Sequence, residues 1–194
     1  MENILPEFLQ IYNQFGQMLM PMTLEQALAT PDIFYGVANI WLIDKENNLL
    51  CSLRGSESKL DPNLWQCFFG GKLKVGERHR EAAIRELEEE IGLKVLPQDL
   101  VIIDKGFVQD KKRYFESYAY CISEERIKKL KPDLKEIIQT RWLSLEQYND
   151  EIADSPDSWT GCFNFKQQGE ILRWRKLIKI GYPFESSLIR AKFI

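Results

Sequence analysis

Glu86, Glu88, Glu89 and Glu90 crowd a single short stretch, RELEEEIG (85–92). Carboxylates serve as general acids and bases, and several on one rigid support hold hard divalent cations through oxygen. On a helix, Glu86, Glu89 and Glu90 stand at i, i+3 and i+4 and share one face, while Glu88 points elsewhere. Like charges at that spacing cost about 0.2–0.5 kcal/mol per pair. They also fall in the C-terminal half of the helix, where the macrodipole disfavours anions. A solvated acidic face, relieved by Lys and Arg, is the plainer reading of the spacing alone. The sharper one is a Mg²⁺ or Mn²⁺ ion among the carboxylates, its octahedron completed by a phosphorylated substrate.

The elements that would position these groups are legible nearby. Gly70 and Gly71 follow a short strand, WQCFF (65–69), and supply the freedom of a tight turn. The helix is expected from about Arg78 to Ile91, with Gly92 as a left-handed cap, and Ile84, Leu87 and Ile91 anchor it to a sheet. Strands are expected at 34–43, 48–54, 100–108, 113–122 and 136–145, the first two joined as a hairpin through DKENN. One or two helical turns are expected at 123–130. Ser144 with Gln147 forms a capping pattern that opens another helix, as does Thr23 with Gln26. Leu5, Phe8, Leu9, Tyr12, Phe15 and Leu19 recur at helical spacing, which predicts an amphipathic helix over 4–19. KQQGEILRWRKLIKI (166–180) reads as a C-terminal helix with a basic, solvated face. The fold class is therefore α/β (α+β), a sandwich around a mixed sheet with N- and C-terminal helical extensions. The expected organisation is 1–33 as N-terminal helical extension, 34–150 as the central domain, and 151–194 as C-terminal helical extension.

Bulk properties narrow the partners. The 194 residues carry a formal net charge of −3, so a basic field for nucleic acid or membrane surfaces is disfavoured. Cys51, Cys67, Cys121 and Cys162 show no CxxC pairing, and neither a zinc site nor a disulfide framework is indicated. No apolar run approaches the ~20 residues of a membrane span. The segment MENILPEFLQIYNQ lacks a basic start followed by an apolar run, and a cytoplasmic location is expected.

The residues around the glutamates match the pattern G-x5-E-x7-R-E-U-x-E-E-x-G-U, with U a bulky aliphatic. Gly71, Glu77, Arg85, Glu86, Leu87, Glu89, Glu90, Gly92 and Leu93 fill its nine constrained positions without a mismatch. In this the chain resembles the Nudix hydrolases, over roughly residues 34–150. The resemblance implies a Nudix-type α/β/α sandwich that hydrolyses a phosphoanhydride bond in a nucleoside diphosphate linked to another group. It further implies Mg²⁺, with Mn²⁺ as substitute, held by Glu86, Glu89, Glu90 and the carbonyl of Gly70. Glu77 and Arg85 would brace loop against helix. Family members draw the general base from the signature or from a later loop, where Glu136 stands and, as a weaker candidate, Glu116. Arg54 resembles family arginines that contact phosphate. Trp65 and Phe69, with Tyr114 and Tyr118, are candidates to stack on a base. The implied partner is a small-molecule nucleoside diphosphate derivative, with room for a homodimer. His79, the single histidine, is expected to be exposed.

Two rivals stand beside hydrolysis. The isopentenyl-diphosphate isomerase branch places a cysteine five residues after a tryptophan, where this chain has Gly70, with Cys67 out of register. A non-catalytic nucleotide sensor would bind without cutting, although sensors can lose metal ligands that are intact here.

Overall fold

The structure, a computed structural model, describes residues 6–58 and 61–160. Its organising strand is β3 (Ile33–Ile43), an apolar run buried along nearly its whole length. Such a run belongs to a strand covered on both faces. β8 (Arg113–Cys121) lies parallel to it from Tyr35–Arg113 to Ile43–Cys121, and β7 (Val101–Val108) is antiparallel to β8. The other edge of β3 is shared by three antiparallel partners. β1 (Phe8–Asn13) pairs with its start, β6 (Phe69–Lys72) with its middle, and β4 (Leu49–Arg54) with its end. β4 in turn carries β9 (Ile137–Leu143) and the short β5 (Trp65–Gln66), while β2 (Met18–Thr23) lies on β1. The described residues thus form one mixed nine-stranded sheet.

Helices cover both faces. α2 (His79–Ile91) packs Leu87 and Ile91 onto Ile40, Leu50, Phe69, Leu73, Tyr118 and Ile137. On the opposite face α4 (Leu145–Asp154) lays Tyr148 against Trp41, Cys51, Cys67 and Trp159. Beside it α1 (Leu24–Ala29) covers Leu9, Ile11, Tyr35 and Val37. α3 (Glu124–Ile127) is one turn after β8. The expected α/β/α arrangement is present.

The N-terminal helix is not. Residues 8–23 form the hairpin β1–β2 and belong to the main sheet. Apolar residues spaced for a helix also satisfy a strand here, because Leu9 and Ile11 alternate onto the α1 face while Gln10 and Tyr12 do not. The turn is closed by Asn13, whose side-chain oxygen accepts from the N–H groups of Phe15 and Gln17 at 3.0 Å. The two capping boxes stand as read: Thr23 accepts from Gln26 N–H at 3.2 Å and Ser144 from Gln147 N–H at 3.1 Å. The expected strand 65–69 is split at Cys67 and Phe68, so that Gln66 pairs with β4 and Phe69 with β3. The helix expected at 166–180 lies outside the described residues.

Candidate active site

α2 is fixed at both ends. At its start the Glu81 carboxylate accepts from Arg78 N–H at 2.9 Å. His79 follows and is buried, not exposed as expected. Its Nε2 lies 3.2 Å from the Tyr114 carbonyl oxygen, and its ring packs between Tyr12 and Tyr114. Burial lowers the imidazole's affinity for a proton, against the opposing pull of Glu116. At the helix end Gly92, with φ 68°, turns the chain left-handed, and its N–H donates to Glu88 O at 3.1 Å. The next carbonyls, of Glu90 and Ile91, each accept at 2.8 Å from Asp133 and Lys131 N–H. The loop that ends in Glu136 is thereby docked on the helix terminus.

Two glycines set how closely the helix approaches the sheet. Gly70 has φ 137°, and a Cβ there would lie 2.0 Å from Ala38 O. Its N–H donates to Glu90 Oε2 at 3.1 Å. A Cβ on Gly71 would lie 2.5 Å from Glu86 Oε1. The glycine pair is thus where the two inner carboxylates meet the backbone of β6.

Arg85 is the brace the motif implies. Nε donates to Glu77 Oε1 at 2.6 Å and Nη2 to Glu77 Oε2 at 2.9 Å, a bidentate grip. Nη1 donates to Glu86 Oε1 at 2.6 Å and to Glu89 Oε2 at 2.8 Å, and Nη2 reaches Lys72 O at 3.1 Å. Burial opposes the guanidinium charge, but the three carboxylates outweigh it and keep it protonated.

The predicted carboxylate triad is divided. Glu90 is 5% exposed, and burial, with Glu86 and Glu136 adding repulsion, pushes its pKa well above the carboxylate range. Burial raises Glu86 too, against the opposing charge of Arg85, with Glu89 and Glu136 adding to the rise. Glu89 is half-exposed and turns to Lys74 at 3.1 Å and to Arg85; those partners outweigh its slight burial and hold its pKa low. Glu136 is exposed at the lip, its backbone oxygen accepting from Gly55 N–H at 2.7 Å. Arg54 is close enough to stabilise the Glu90 charge. The structure thus brings together Glu86, Glu90, Glu136, Arg54 and Gly70.

The aromatic candidates do not join them. Trp65 stands opposite Leu53 and packs in the α4 layer, its ring 3.9 Å beneath the Arg141 guanidinium. Phe69 is fully buried under α2. Strand alternation turns Trp65 away from the carboxylates, whereas Phe69 lies on the α2 side and is taken up by packing beneath the helix. Tyr114 packs on His79, and Tyr118 donates its hydroxyl to Glu116, which occupies that weaker base candidate. Sequence reading missed Ser52 and Gln66, buried polar residues on the carboxylate side of β4 and β5. The signal was present: Leu50, Ser52 and Arg54 share one face, which turns polar toward its end.

The donor set suits a hard divalent cation. An enclosed carboxylate pair with a third carboxylate at its lip calls for a counter-charge, and oxygen donors select Mg²⁺ or Mn²⁺ over softer metals. Among the described residues no three acidic, His or Cys side chains are gathered tightly enough to ligate an ion as they stand. Three-carboxylate ligation therefore requires Glu136 or Glu89, the exposed members, to turn inward.

Comparison with known proteins bears on the family and the fold. The family model for the NUDIX domain matches residues 34–160. An uncharacterized Nudix hydrolase of Listeria innocua, lin0387, is 24% identical over 60% of this chain and 68% of its own. A protein of Methanosarcina mazei named prenyl-diphosphate phosphatase is 29% identical over 61% of this chain and 69% of its own. The crystal structure of DR0079 from Deinococcus radiodurans superposes with a TM-score of 0.64 over 87% of this chain and 98% of that one, at 20% identity, a likeness of fold.

Proposed function

This chain belongs to the Nudix hydrolase family, and from that membership we propose that it is a Mg²⁺-dependent pyrophosphohydrolase of a nucleoside diphosphate derivative. The observation that carries the proposal is the enclosed carboxylate pair Glu86 and Glu90, seated against Gly70 and Gly71 with Arg54 alongside. Glu86, Glu90 and the Gly70 carbonyl would hold the ion, with Glu89 or Glu136 completing the set. Bound there, the cation neutralises diphosphate oxygens and lowers the pKa of an attacking water. The chain's own residues do the rest. Arg85 and Glu77 fix the helix so that the carboxylates keep their places. Arg54 draws in phosphate. Glu136, exposed at the lip, accepts the water's proton. The work is positioning and electrostatics, with no covalent intermediate required. Among the described residues no helix is long and apolar enough to cross a membrane. A cytoplasmic enzyme acting on small molecules, alone or as a homodimer, fits the composition.

A second reading concerns the group attached to the diphosphate. Leu134 and Ile138, 80% and 49% exposed, flank Glu136 with aliphatic surface, while Trp65 packs in the α4 layer and Phe69 is buried beneath α2. The Methanosarcina mazei relative is named for prenyl diphosphates. These observations favour an organic diphosphate with an aliphatic group. Purified protein with Mg²⁺ should release phosphate-containing products, read by mass spectrometry, from a panel of ADP-ribose, dinucleoside polyphosphates, nucleotide sugars and prenyl diphosphates. Glu89→Gln and Glu90→Gln should slow release by about a hundredfold or more, on the scale of losing a charge-stabilising group. If no compound turns over while one raises the melting temperature, the protein is a sensor instead.

A further inference from the structure

Gln66 is an odd residue to bury. It is 4% exposed, its partner across the β4–β5 ladder is Ser52, and Ser52 in turn faces Thr140 across β9. The Ser52 hydroxyl is fully enclosed and without a hydrogen-bond partner among the described residues. These polar side chains lie on the face that Leu50 and Ile137 share with α2, where packing alone would select aliphatic residues. Gln66 Oε1 accepts from Arg54 Nη1 at 2.9 Å. Arg54 is one residue further along the same face as Ser52, beside the start of β9, where the register slips at Ile138 and sets Arg54 opposite Ile137. Its positive charge reaches Glu90. A bulge of this kind turns a strand end toward a site.

We propose that Gln66 is a positioning residue for phosphate binding: it holds Nη1 of the Arg54 guanidinium through a neutral acceptor, and so orients the fork toward the diphosphate without adding a negative charge beside it. The choice of acceptor matters. A carboxylate at position 66 would hold the same nitrogen just as firmly and cancel the charge that is meant for phosphate. An aliphatic residue would fill the space and withdraw the acceptor that Nη1 uses. The amide supplies direction without neutralisation. Gln66, Ser52 and Thr140 follow one another in register across β5, β4 and β9 as a polar row beside that amide. This inference rests on the pyrophosphohydrolase reading above and concerns how the diphosphate is gripped, not whether it is cut.

The test separates grip from turnover. Methylenediphosphonate, which cannot be hydrolysed, is titrated with Mg²⁺ into the full-length protein by calorimetry. Gln66→Glu and Gln66→Leu should each weaken binding about tenfold or more, as expected when the charge-assisted contact between Arg54 and phosphate is neutralised or misdirected. In the Arg54→Ala background the same two substitutions should change affinity by less than twofold, because a residue acting through another has nothing left to act on. For any panel compound that turns over, KM should rise more than kcat falls. Melting temperature is recorded for each variant, and Gln66→Glu, which keeps the size and the hydrogen bond, guards against a folding defect in Gln66→Leu. Unchanged diphosphonate affinity in both single variants overturns the inference, as does an equal loss with and without Arg54. Absence of diphosphonate binding to the wild type also overturns it. Absence of turnover with the diphosphonate results as expected removes the hydrolase reading and leaves the grip intact.

Discussion

At the scale of single residues, the two buried titratable groups on α2 should respond to pH in opposite senses. His79 has its proton affinity lowered by burial. Between its folded pKa and the ordinary value near 6.5, the unfolded chain binds more protons than the fold. Stability therefore rises with pH through that window and is lost as acidification passes down through it. In His79→Gln the acid-side loss should shrink, measured by urea denaturation from pH 7.5 to 5.5. Glu90 is the mirror case, its carboxyl raised by burial and by Glu86 and Glu136. The fold then holds a proton that the unfolded chain has released, so metal-free stability should fall as pH climbs above the usual carboxylate range. Glu90→Gln should remove that loss and melt at or above the wild-type temperature without metal. It should also lose the melting gain that Mg²⁺ gives the wild type. A lower metal-free melting temperature for Glu90→Gln would mean that the carboxylate is structural.

Elements carry a different kind of prediction, because adjacent glycines have separable jobs. Gly70→Ala places a methyl 2.0 Å from the β3 backbone at Ala38, at a φ of 137°. Neither strand can give way, and a loss of about 3 kcal/mol or more in chemical denaturation is expected. Gly71→Ala instead meets the tip of Glu86, a side chain that can swing. Stability should change by about 1 kcal/mol or less. Activity should fall far more than stability, because the displaced carboxylate belongs to the proposed site. The reverse pattern would show that Glu86 has no catalytic place. At this scale much was legible beforehand. The helix over 79–91, its Gly92 cap and both capping boxes follow from local chemistry that the sequence states directly, while the Arg85–Glu77 pair was legible only through the family resemblance. What local pattern cannot state is long-range pairing. Leu9, Tyr12 and Leu19 satisfy a helical period by eye, and only pairing with β3 and docking against Tyr35 and Val37 make this segment a hairpin. Trp65 was misplaced for a similar reason. Whether it faces the carboxylates depends on its register with Leu53 and on which side of β4 α2 lies, and neither is written in its neighbours.

For the whole molecule, the boundary of the family match and that of the folding unit differ. The match begins at residue 34, yet Leu9 and Ile11 are fully buried and β1 is hydrogen-bonded into the same sheet as the site. Each such side chain contributes about 1.5–3 kcal/mol by burial. A chain shortened by its first 32 residues should lose about 3 kcal/mol or more and expose the faces of Tyr35 and Val37. The readout is thermal unfolding together with dye binding to exposed apolar surface. Unchanged melting would make the hairpin an ornament. Its outer surface is a separate matter, since Phe15 and Met20 are 77% and 80% exposed and contribute little to this balance.

The joint between Lys131, Asp133 and the last carbonyls of α2 constrains how this enzyme can move. Two backbone hydrogen bonds of 2.8 Å yoke the segment bearing Glu136 to the terminus that carries Glu90. Any inward turn of Glu136 therefore falls to its side chain, because the backbone leading to it is tied to the helix end that carries Glu90.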